Sequence, residues 1–187
     1  MTKHIKKEYN HWQLDLDLRE LLLECRAQEE SRYAKTSICV SEGKLAVTDG
    51  KRLVVVHIDH EIEPGVYFCT SEGFLLVAEG RFPKYEDIIP EKENLSKIVD
   101  ISESREDVAG LILGKLIASG CIAQLSLFLR PIEILEKIKE GSIKVFVDKT
   151  DPSTYPFLIE AETTLGEVEY IQMPLNIVNE VERKAKK

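Results

Sequence analysis

The 187-residue sequence predicts an α+β fold in which a β-α-β-β-β unit occurs twice, once on each side of a proline-bearing segment. Two observations carry this. Short apolar–polar alternating runs punctuated by glycine follow a helical stretch in each half, which is the rhythm of an antiparallel meander. Each half also offers one amphipathic helix and a sheet with one apolar face. Neither half can bury its apolar surface alone, so the two halves are expected to pack together with two helices against antiparallel sheets.

The elements follow in order. "HWQLDLDL" (11–18) alternates, placing Trp12, Leu14, Leu16 and Leu18 on one strand face. Asp17 and Glu20 have capping-box spacing, which predicts a helix over "LRELLLECRAQEE" with Leu18, Leu21, Leu22 and Cys25 as its buried stripe. "SICVSEG", "KLAVTDG", "KRLVVVHID", "GVYFCTSEG" and "FLLVAEG" read as consecutive strands. "RFPKYEDIIPEKENLSK" (81–97), charged and holding Pro83 and Pro90, reads as a linker. A helix weakened by Gly110 and Gly114 is expected over 104–120. "AQLSLFLR" (123–130) alternates like a strand. "PIEILEKIKEG" then reads as a helix, with Pro131 in its first turn and Gly141 as its stop. "SIKVFVDK", "PFLIEAETT" and "EVEYIQMPL" complete the second unit. The expected organisation is one domain over 10–176, with halves at about 10–80 and 122–176. A polar tail at 177–187 is expected to fray.

Composition bounds the function. A net charge of −8 argues against a basic module that coats nucleic acid, though not against a local basic surface. Cys25, Cys39, Cys69 and Cys121 stand far apart with no CxxC pair, which fits reduced thiols in a cytoplasmic protein. "MTKHIKKEYN" has no apolar core region of a signal peptide. The apolar run "VAGLILGKLIASGCIA" is broken by Lys115 and three glycines, so no membrane association is expected. No P-loop, nucleophile elbow or glycine-rich phosphate cradle is present, so the sequence predicts no enzyme and no cofactor. "HIDHE" (57–61) gathers His57, Asp59, His60 and Glu61. Alternation along a strand sends His60 away from His57, so a solvated hairpin end is favoured over a metal site.

Three segments share a resemblance. "TDGKRL" (48–53), "EGRFPKYEDIIP" (79–90) and "YIQMPL" (170–175) resemble, in order and in element type, motifs of the bacterial DNA polymerase sliding clamp, the β-subunit processivity factor. The likeness extends from Leu14 to Leu175. It departs where the family's turn histidine is Lys51 and where the linker reads "KYED". The chain is also too short for the family's three domains, so the resemblance is to a compact or diverged single-domain relative. In that family the three segments form a shallow apolar pocket for a short linear peptide of polymerases or repair proteins. The resemblance therefore implies a non-catalytic, DNA-clamp-like protein of DNA replication or repair, a processivity factor acting through protein–protein interaction.

Carried over residue by residue, the implied peptide pocket is Gly50, Arg52 and Leu53 from the hairpin, Pro83 and Ile88 from the linker, and Met173, Pro174 and Leu175 from the last strand. Each alone also fits an ordinary role: Leu53 and Leu175 as core, Gly50 as a turn residue, Pro83 as a linker stop. The resemblance further implies double-stranded DNA and homo-oligomerisation. The cations available to face phosphates are Arg19, Arg26, Arg32, Lys35, Lys137 and Lys139, and interspersed glutamates make a solvated mixed-charge face the favoured reading. The alternative is a clamp-fold interaction scaffold or regulator without DNA encirclement.

Overall fold

The computed structural model describes residues 4–8, 11–29, 33–103 and 107–175. Residue 10, residue 176 and the tail from 177, together with Arg32, lie outside these. In chain order the elements are β1 (Ile5–Glu8), β2 (His11–Leu14), α1 (Leu16–Cys25), β3 (Ile38–Ser41), β4 (Lys44–Thr48), β5 (Arg52–His57), β6 (Gly65–Cys69) and β7 (Phe74–Val77). They continue with β8 (Leu95–Ile101), α2 (Val108–Ala118), α3 (Leu125–Ile138), β9 (Lys139–Asp148), β10 (Phe157–Thr163) and β11 (Gly166–Gln172). Short 3-10 turns occupy Glu86–Ile88 and Lys92–Asn94.

Among the described residues the strands form one antiparallel sheet in the order β1-β2-β7-β6-β3-β4-β5-β11-β10-β9-β8. The two halves meet where β5 pairs with β11, with Val54 opposite Tyr170 and Leu53 opposite Ile171. On either side of that seam the meanders β3-β4-β5 and β9-β10-β11 run outward in mirrored order. They differ at their outer ends: β8 lies directly on β9, whereas the β6–β7 hairpin separates β2 from β3.

One face of the sheet carries the helices. The expected stripe of α1, Leu18, Leu21, Leu22 and Cys25, is fully buried there with Val54, Val56, Tyr170, Phe157 and the α3 residues Phe128, Ile132 and Leu135. The other face is covered by the segment following Arg81. Phe82 and Tyr85, stacked edge-to-face at 6.0 Å, seal Ala46, Leu53, Val55, Leu158 and Ile171. Because both faces are covered, Val54, Val55 and Val56 are all fully buried, as a continuous apolar run requires.

Several boundaries differ from the sequence reading. The first strand stops at Leu14, and the cap is Asp15, not Asp17: its Oδ1 accepts from Leu18 N at 2.9 Å, so Leu16 sits in the first helical turn, 59% exposed. "AQLSLFLR" is not a strand. Its apparent alternation comes from the exposed Leu125 and Leu129, while Phe128 joins Pro131, Ile132, Leu135 and Ile138 in a helical stripe. Pro131 thus lies inside α3, and Gly141 lies within β9, not at a helix end. The strand missing from the second half is β8, which begins in the last three residues of the segment read as linker and runs on to Ile101. A register shift between Lys97 and Val99 breaks its alternation. The second half therefore runs β8-α2-α3-β9-β10-β11 and begins near Leu95, not 122, with three helices packed on the sheet in place of two.

Candidate peptide-binding site

The turn "TDGKR" is built by its own side chains. Asp49 Oδ1 accepts from Lys51 N at 2.8 Å and from Arg52 N at 2.9 Å, while Gly50 N donates to Thr48 Oγ1 at 3.0 Å. Gly50 has φ +90°, a conformation that costs a residue with a Cβ, and a Cβ there would meet the Lys35 ammonium at 2.7 Å.

Arg52 points inward. Its side chain is 6% exposed; Nε donates to Asp49 Oδ2 at 2.9 Å, Nη1 donates to Leu127 O at 2.8 Å, and Nη2 donates to Glu24 O at the C-terminal end of α1. Pro131 explains the second partner. Without an N–H it cannot bond the carbonyl four residues back, which is Leu127 O. That open carbonyl accepts from Arg52 and also from the Tyr170 hydroxyl at 2.9 Å. Arg52 is therefore committed to clasping the hairpin to α1 and α3. Beneath it, burial pushes the Cys25 thiol up to about 12.

The three sequence motifs meet. Met173 N donates to Lys51 O at 2.9 Å, which pins the end of β11 to the hairpin turn. From the other side, the segment holding Ile88, Ile89 and Pro90 crosses the sheet face above Leu53. Between this segment, Met173 and the β9–β10 connection lies a shallow cleft of about 610 Å³. Ile88, Tyr155 and Met173, each about half exposed, supply its apolar surface, helped by Ile89, Pro90 and Pro156.

Of the eight residues singled out from sequence, Ile88 and Met173 line this cleft directly. Leu53 is 1% exposed and forms the layer under the linker. Pro83 is half-buried and Gly50 is exposed at the turn tip. Pro174 and Leu175 are half-buried, and Leu175 N donates to Ile122 O at 2.7 Å, which carries the chain away toward the α2–α3 connection. Sequence reasoning missed Tyr155 and Pro156. The signal was present: "TDPSTYP" sets an aromatic and a second proline in an otherwise polar loop.

Of the candidate DNA-facing cations, Arg19, Arg26, Lys137 and Lys139 are engaged locally. Arg19 Nη1 donates to Ser71 O at 2.7 Å. Arg26 Nη1 donates to Thr36 O at 2.9 Å, and its guanidinium lies 5.4 Å from the Phe68 ring centre. Lys137 pairs with Asp17 at 2.8 Å and Lys139 Nζ donates to Glu103 O at 2.8 Å. Lys35 lies beside Gly50 at the turn. Arg130, on the same face, pairs with Glu20 and Glu133. The α1–α3 surface is thus a lattice of acid–base pairs. His57 contacts Glu169 at 3.2 Å and His60 reaches Lys44 O at 3.4 Å. Among the described residues no His/Cys/Asp/Glu group is placed to hold a metal, and no helix is long and apolar enough to cross a membrane.

No family model matches the sequence, and no curated protein matches it. Among solved structures the chain has the fold class of bacterial sliding clamps: an α+β, clamp-like arrangement of a large antiparallel sheet backed by helices. One match is the DNA polymerase sliding clamp of Pseudomonas aeruginosa, solved with a ligand. It aligns over 91% of this chain and 75% of that one, at 13% identity and a TM-score of 0.51. The β chain of DNA polymerase III from Streptococcus pneumoniae aligns over 91% of this chain and 66% of that one, at 11% identity and a TM-score of 0.46. At 13% identity the likeness to the Pseudomonas aeruginosa clamp is one of fold.

Proposed function

We propose that this chain is a non-catalytic, diverged relative of the sliding clamps, a single clamp-like domain over 10–176 that serves DNA replication or repair in the cytoplasm. It recruits partner proteins by holding a linear peptide in the cleft between the linker and the end of β11. The supporting observation is the convergence of the three motif segments, through the Met173–Lys51 backbone bond and the shared wall of Ile88 and Met173. A groove of this kind gains from apolar burial at about 25 cal/mol per Å² removed from water. The test is fluorescence anisotropy with a Gln/Leu/Phe-rich clamp-binding peptide. Binding in the micromolar range is expected, and Ile88→Ala with Met173→Ala should weaken it at least about tenfold, the effect of losing two apolar anchors. An unchanged affinity in the double variant would place the peptide elsewhere.

Within this reading, homo-oligomers would form through β1 and β8, which end the sheet, and such a ring could surround double-stranded DNA. The second reading is a clamp-fold scaffold or regulator without DNA encirclement, favoured by the pairing of the α3 cations Arg130 and Lys137 with α1 carboxylates and by the net charge of −8. Light scattering with a DNA titration separates the two. A ring-forming clamp gives an oligomer with salt-sensitive DNA binding; the scaffold gives a monomer with none.

A further inference from the structure

The cleft carries a charge signature that the apolar anchors alone do not account for. Its rim holds the carboxylates of Asp87, Glu91 and Asp148 against one lysine, Lys149. That lysine is turned to the backbone: Lys149 Nζ donates to Glu93 O at 2.7 Å. The Glu91 carboxylate accepts from the Asn94 side-chain amide, a neutral donor, and Asp87 has a cation, Lys84, at 3.6 Å in a pair more than 70% exposed on both sides and so well screened. Asp148 is held as a carboxylate by the Thr150 hydroxyl and by the amides of Asp151 and Thr150, which keep its carboxyl below the usual range. Beside these charges the Tyr155 ring is 52% exposed, a face on which a guanidinium or ammonium can rest.

Resting on the peptide reading above, we propose that the cleft selects a cationic peptide: apolar side chains against Ile88 and Met173, with Lys or Arg flanking them against Asp87, Glu91, Asp148 and the Tyr155 ring. The occupant is then a segment of a basic partner protein, chosen by charge complementarity as well as by its apolar anchors.

The test uses two fluorescent peptides with the same Gln/Leu/Phe-rich core, one flanked by Lys and Arg, the other by Asp and Glu. They are titrated by anisotropy against the full chain and against Asp87→Lys/Glu91→Lys, whose two positions are exposed and outside the core. The basic-flanked peptide is expected to bind about tenfold tighter at low salt, with the preference shrinking at high salt and inverting in the charge-reversed protein. Equal binding of the two peptides, or tighter binding of the acidic one, overturns the charge selection and leaves the peptide cleft standing. Binding of neither overturns both.

Discussion

At the scale of single residues, the Leu127 carbonyl shows how the hairpin is held. Pro131 leaves it without its helical donor, and Arg52 and Tyr170, from adjacent strands, both supply one. Arg52→Ala would take the side-chain donor from Asp49 Oδ2 and Glu24 O and leave Leu127 O with Tyr170 alone, next to a sealed core, and is expected to destabilise by about 3 kcal/mol in chemical denaturation. Tyr170→Phe should cost about 1 kcal/mol, and because the two donors share one acceptor the double variant should depart from additivity by at least about 0.5 kcal/mol. Strict additivity would mean that the clasp is not a unit. This inward role was not legible in "TDGKR": an arginine in a turn reads as exposed until a partner 75 residues away is known.

At the scale of elements, legibility followed periodicity. The α1 stripe repeats at 3.6 residues, and the strands from Ile38 to Val77 are short alternating or continuous apolar runs between turn residues; the structure has them where the pattern places them. Two elements were misread for opposite reasons. In α3, exposed Leu125 and Leu129 mimic alternation and Pro131 invites a break, yet tertiary packing holds the helix through both. In β8, one register shift and an exposed Lys97 hide a strand whose Leu95, Val99 and Ile101 are buried. The α3 assignment has a direct consequence. Phe128 is fully buried, with its ring 6.2 Å from Phe157. Phe128→Ala should therefore cost about 3–5 kcal/mol, measured by thermal or denaturant unfolding. An outward-facing strand residue would cost under about 0.5 kcal/mol.

At the scale of the whole molecule, the seam between β5 and β11 gathers the functional surface. It sets the hairpin turn beside the end of the last strand, and the linker, having to cover the outer sheet face, brings Ile88 to the same place. The sequence motifs named three segments, and the cleft adds the β9–β10 connection, which only the folded sheet brings near. The sequence contains two methionines, so labelling their ε-methyl groups places one nuclear magnetic resonance probe in the cleft wall at Met173 and a second at Met1. On titration with the Gln/Leu/Phe-rich peptide, the account predicts a saturable shift of the Met173 signal whose midpoint moves to higher peptide concentration in Ile88→Ala. A Met173 signal that stays in place while the peptide binds would contradict it.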